Sequence, residues 1–480
     1  MLRLQSKIII LIPVILLSEE IQINVSNKFT GYFYNDSLNF FNFRNNFLLN
    51  LNRNTKDLIY GMSLSFLMDN ELVYDTIIIN SISKKTFFIK TNCLTLKIGD
   101  SYLSSGRGII ASFFEDEKIR FERDIEGIIV NSNINFFDLK VFSGFPRINN
   151  IKDSVRRYSG IETNLNHKLV NIGLRYLMEN ASDNNFLQTF GSITQEIYGG
   201  SLKLNLNDVE FYGEYGERHT YGVYSPFYGW IGTEDVNGNA IYLSFSYTFS
   251  GFGANLLLKK YKDFNSGINS PPPCNHISRL LNEANDEKGY ELIINFSPLN
   301  HINIDFDYSC SFSSDRNQFL KDFYNEIRYE IDDISVQCEI VKRNEKGLEY
   351  NVNSKNLIGG NITLTFDNFF ETTITSGINL YNNEYIDEDL KYNEYIFEFE
   401  ISPKDFLSIF SSLSKASKPV IEYENKSFWW EIGINLVFND GRGEITFTNE
   451  RTKGGLVCSG GICKYEPSFE GYKLNFNFSF

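Results

Sequence analysis

From about residue 25 to its last residue, this chain repeats one unit: a run of about ten residues in which apolar and polar side chains alternate, followed by a turn. The last strand shows it most clearly. Tyr472, Leu474, Phe476, Phe478 and Phe480 fall on one face, and Lys473, Asn475, Asn477 and Ser479 on the other. Ile241, Leu243, Phe245, Tyr247 and Phe249 oppose Tyr242, Ser244, Ser246 and Thr248 in the same way, and Ile432, Ile434 and Leu436 oppose Glu431, Gly433 and Asn435. A period of two over so much of the chain requires a sheet with one apolar face.

The connections narrow the choice of sheet. Short ones, such as Asn205 to Asp208, Ser250 to Gly251, Ser297 to Asn300 and Asn439 to Gly443, read as tight hairpin turns. Long polar ones, such as Gly144 to Arg157, Glu179 to Thr194, Glu217 to Gly238, Lys262 to Lys288 and Arg451 to Pro467, take turns with them. A sandwich or propeller has no reason to put every long loop on one side. A transmembrane antiparallel β-barrel does, with short periplasmic turns, long extracellular loops, an apolar outer face and a polar lumen. Counting hairpins gives an all-β barrel of about 24 strands, within a range of about 22–26.

Composition removes the competing classes. Charged residues make up 22% and the net charge is −15, which excludes a nucleic-acid binder relying on basic patches. Aromatic content of 15% excludes disorder. Residues 1–18 have a cationic start, Arg3 and Lys7, before the apolar run Ile8 to Leu17, the layout of a secretory signal peptide too short to span a bilayer. The remainder, residues 25–480, reads as a single barrel domain. A strand ending in Phe480 resembles the C-terminal signal by which bacterial outer-membrane proteins engage the barrel-assembly machinery, so outer-membrane lipid and that machinery are the expected partners, in a Gram-negative outer membrane.

Two segments carry a closer resemblance. Leu96 to Ile110 reads LKIGDSYLSSGRGII, followed by Arg123 to Gly127, RDIEG; Glu450 to Lys464 reads ERTKGGLVCSGGICK. The first is similar to a GDxYxxFGRG-like stretch in a family of large Gram-negative outer-membrane barrels of unknown function, with Ser105 standing where an aromatic is expected. The resemblance implies a barrel and an outer-membrane address, and no activity.

Gly99, Gly106 and Gly108 interrupt a strand where the backbone must bend, which points to a bulge folded toward the lumen. Asp100, Arg107, Arg123, Asp124 and Glu126 are expected to form an internal salt-bridge layer there, either a buttress or a constriction. Farther along, carboxylates point inward: Asp305, Asp307, Glu326, Glu330, Glu339, Glu394, Glu398, Glu400 and Glu431. Such a lumen concentrates cations over about a Debye length of 8 Å. Cys458 and Cys463 are spaced for a disulfide at a loop tip, and Cys274 and Cys310 are a possible second pair. Ile277, Leu280, Leu281 and Ala284 fall at helical spacing, suggesting a short helix over Asn275 to Ala284. Tyr221, Tyr224, Phe227, Tyr228 and Trp230 make one outer loop aromatic enough for a glycan or a protein.

No catalytic, metal or cofactor motif stands out: the four His, at 167, 219, 276 and 301, are dispersed, two at predicted turns and two in loops. The expected function is therefore non-enzymatic: a porin-like channel for small uncharged or cationic solutes, or alternatively a non-conducting scaffold or adhesin binding a surface protein or glycan through its loops.

Overall fold

The computed structural model describes residues 21–479 apart from 35–40, 56–57, 74–75, 117–120, 150, 154–155, 182–192, 222–223, 226–228, 231–235, 332, 350–351, 367–372, 386–391, 405, 421–425, 439–440, 460–461 and 467. The expected signal peptide and most of the aromatic loop after Tyr221 lie outside the described residues.

Among the described residues, one antiparallel sheet holds 26 strands. Two of them, Glu115–Asp116 and Ile151–Lys152, are two-residue annexes to a neighbour. The remaining 24 form a ring in which each strand pairs with the next, and the last, Phe469–Ser479, pairs back onto the first, Ile21–Tyr34. Closure leaves no sheet edge in the ring, the condition for crossing lipid with strands. The ends fall as expected. Two-residue turns such as Asn135-Phe136 and Asn207-Asp208 close one end, where Asn135 and Asn207 take the positive φ that tight turns need.

Alternation sorts the two faces. Leu174, Ile340, Ile362 and Ile432 are all more than half exposed on the outer face, a belt that is stable only against lipid. Polar side chains take the inner face, where Glu214, Ser244, Glu291, Asp307 and Asp322 are buried.

Strands run further than the sequence predicts. Phe137–Ile148 and Val209–Thr220 extend into the expected loops, because polar residues above the lipid belt still satisfy the ladder, and His219 therefore lies on a strand and not in a loop. Asn275 to Ala284 is not a helix: Cys274, Ser278, Glu283 and Ala284 all have positive φ, which an α-helix cannot hold, although Leu280, Leu281 and Ala284 are buried as the pattern suggested.

The largest departure from an empty polar lumen is a hydrophobic core inside it. Strand Leu94–Ser101 has only 8 residues, whereas its neighbours Thr76–Thr91 and Phe121–Ile134 have 16 and 14. After Ser101 the chain turns inward as a small hairpin, Leu103–Ser105 and Ala111–Phe113. The connection from Asp263 to Asn285 also folds inward, and the two segments form a plug joined by backbone bonds from Ser112 to Ile268 (2.8 Å) and Ser270 to Gly108 (2.9 Å).

Candidate lumen plug and acidic passage

The seat for the plug is written into the wall. Gly199, Gly216 and Ala240 face inward on one rung of three neighbouring strands. A Cβ on Gly199 would stand 2.9 Å from Ile110 Cδ1, and one on Gly216 would stand 2.7 Å from Phe264 Cζ. These small residues let Ile109, Ile110 and Phe264 approach the backbone and become almost fully buried. Around them the inner face turns apolar, with Ile125, Phe142, Tyr158, Leu177, Ile197 and Tyr261 joining the plug in one cluster.

Two arginines fasten it. Arg123, which is buried, donates to three backbone carbonyls: Nε to Ser112 (2.8 Å), Nη1 to Gly267 (2.7 Å) and Nη2 to Asn269 (3.2 Å). One guanidinium thus ties both inward segments to the wall. At the hairpin tip, the Arg107 backbone N–H donates to Glu214 Oε2 (3.0 Å), and its guanidinium lies 4.3 Å over the Tyr212 ring and donates to the Tyr242 hydroxyl (3.0 Å). Gly106 sits at φ 64°, and a Cβ there would stand 1.8 Å from Glu214 Oε1.

The expected five-residue salt-bridge layer is therefore not formed. Arg107 and Arg123 enter the lumen with other partners, while Asp124 and Glu126 alternate onto the same side as lipid-facing Ile128. Asp100 and Asp124 instead close the seam left where Leu94–Ser101 stops short. Arg147 reaches across it, with Nη2 2.7 Å from Asp124 and Nη1 3.6 Å from Asp100 while also donating to the Ser83 carbonyl. Asp100 accepts from the Lys85 N–H at 2.7 Å. Glu126 pairs separately with Lys85 and Lys152 at 3.4 and 2.8 Å, at half-exposed positions.

The loop end of the plug is held by charge. Arg279 pairs with Glu345 at 3.1 Å, Lys259 pairs with Glu287 and also donates to the Pro273 carbonyl, and His276 lies 3.5 Å from Asp307. Cys274 is buried here as a free thiol, pushed up to about 12 by its burial. Cys310 is also free, so the possible second disulfide is absent. The reason is parity: Cys310 alternates with Ser309 and Ser311, which line the lumen, so its side chain leaves by the opposite face from Cys274. Cys458 and Cys463 are bonded, directly opposite each other in the hairpin Gly455–Ser459 and Ile462–Glu466.

The acidic residues fall into rows. Asp305, Glu326 and Glu339 are consecutive partners across three strands, and Glu398, Ser412, Glu431 and Glu450 across four. The backbone register from Glu339 leads through positions 361 and 379 to Ile396, one inward step from Glu398. Glu330 and Glu400 lie on the inner faces of their strands, and Glu394 accepts from Ser414 and Lys453. Glu450 was not among the expected residues; its partner in register, Glu431, was the available signal.

Among solved structures, the translocation pore of the P pilus usher PapC is similar over 95% of this chain and 99% of its own, at 9% identity and a TM-score of 0.50, a likeness of fold alone. The siderophore receptor PirA from Pseudomonas aeruginosa matches over 96% of this chain and 80% of its own, at 10% identity and a TM-score of 0.49. OccK3 (OpdO) from Pseudomonas aeruginosa matches over 76% and 97%, at 10% identity and a TM-score of 0.45. No curated protein matches the chain. The model of a family of unknown function, DUF6029, matches residues 7–284 and 279–480, and the chain belongs to that family.

Proposed function

We propose that this is an outer-membrane barrel that passes small uncharged or cationic solutes along the part of its lumen beside the plug. The observation that carries the reading is the pair of carboxylate rows, Asp305–Glu326–Glu339 and Glu398–Ser412–Glu431–Glu450. Neighbouring strands lie about 4.8 Å apart, and like charges directly opposite one another are unfavourable. Arg328 pairs with Glu326 at 3.0 Å and offsets part of the first row's charge, and the carboxylates in excess of it favour cation passage. The bonds that hold the plug fall on strands between Phe121 and Glu349, whereas the second row lies on Tyr392–Lys404 through Gly443–Thr452.

Planar-bilayer recordings across a potassium chloride gradient test this. Wild-type protein should conduct with a cation-selective reversal potential, and Glu431→Gln with Glu450→Gln should move that potential toward zero without changing the fold. Protein that inserts as a folded barrel and never conducts would sink the reading and leave a surface scaffold whose outer loops take a protein or a glycan.

A further inference from the structure

Apolar packing runs through both inward segments of the plug, and one stretch carries ionic contacts in addition. The hairpin and Asp263 to Asn269 are held by apolar packing and by Arg123, which does not titrate near neutral pH. Cys274 to Leu281 joins the same cluster through Cys274 and Leu280, and in addition is held by ion pairs and hydrogen bonds to strands between Asp286 and Glu349, from Glu287, Asp307 and Glu345. One of its contacts titrates near neutrality. The His276 ring stacks on Tyr324, with centroids 4.2 Å apart and planes at 16°, and its Nδ1 lies 3.5 Å from Asp307 Oδ2.

We infer that Cys274 to Leu281 is a proton-responsive strap, closed over the acidic wall when His276 is protonated on Asp307 and released when His276 loses its proton. The surroundings favour a cation at this point. Asp307 and Asp305 face it from one strand, Asp322 and Glu326 from the next and Glu291 from the other side, against Arg343 and the strap's own Arg279. Asp307 Oδ1 and Ser309 Oγ are buried without a hydrogen-bond partner, so this patch of wall has acceptor capacity left over. The bond to Asp307, working against burial, holds His276 above its ordinary value. A raised value means that the contact contributes fully below about pH 6.5, the unfolded value, and is lost as the pH climbs through the folded one. Backbone strain assists release, since Cys274 and Ser278 hold φ of 50° and 55°.

The strap contains a trypsin site, the bond after Arg279, that is buried when the strap is closed. In the full-length refolded protein, cleavage there should be roughly three- to tenfold faster at about pH 8.5 than at about pH 6, relative to an unstructured control peptide. His276→Gln should cut at the fast rate at both values. A rate that does not change with pH in the wild type, or a pH step that survives His276→Gln, overturns the proposal. The strap's effect on permeation rests on the channel reading above, and conductance separates the two: a cleavage step without any current keeps the strap and removes the channel.

Discussion

Arg123 shows how a single side chain can commit a loop to the inside of a barrel. Its three acceptors belong to two segments far apart in sequence, one at Ser112 and the other at Gly267 and Asn269, and a planar guanidinium matches their spread. Arg123→Lys keeps the charge and loses the fork, leaving buried carbonyls unsatisfied at a cost of about 2–3 kcal/mol in plug docking. Hydrogen-exchange mass spectrometry should then show faster exchange in 103–113 and 264–270 with the outer strands unchanged; equal protection in both variants would show that the arginine is not the fastener. The sequence marked this arginine as functional but not its partners, because backbone carbonyls leave no trace in side-chain pattern. Asp100 and Asp124 were legible as charges to be paired, yet Arg147, their partner, lay in what read as a loop.

Among the elements, the strands were legible, and so was an inward fold at Gly99 to Gly108; its hairpin form and its packing against Asp263 to Asn285 were not. A period of two reports which face meets lipid, and twenty-four strands follow from it. What the lumen holds is decided by rungs, such as Gly199, Gly216 and Ala240, which are adjacent in space and distant in sequence. The loop pattern Ile277, Leu280, Leu281 and Ala284 correctly marked burial but misled on helicity, since a turn-rich coil can bury the same residues. Among the described residues, the bonded hairpin Gly455–Ser459 and Ile462–Glu466 forms a two-stranded sheet separate from the ring. Its short closed loop contributes on the order of 2 kcal/mol, locally. Reduction with dithiothreitol should therefore speed trypsin cleavage after Lys464 while the heat-induced shift of the barrel on a gel stays where it was; a lower barrel transition would show that the hairpin braces the wall.

For the whole molecule, adjacent positions should differ sharply because they face different solvents. Ile432 is 53% exposed on the belt, and Glu431 points the other way. Arginine at position 432 should cost about 2–4 kcal/mol if it lies near the bilayer midplane. Glu431→Arg should leave stability nearly unchanged and shift ion selectivity instead. Urea titration of protein folded into vesicles measures both, and equal losses at the two sites would remove the assignment of faces.

The plug has a further consequence because both of its segments remain covalently joined at each end to neighbouring strands, Ser101 to Phe121 and Lys262 to Asp286. A displaced stopper cannot diffuse away. The return of a displaced segment to its seat is therefore unimolecular, governed by an effective local concentration in the millimolar range or above and independent of protein abundance.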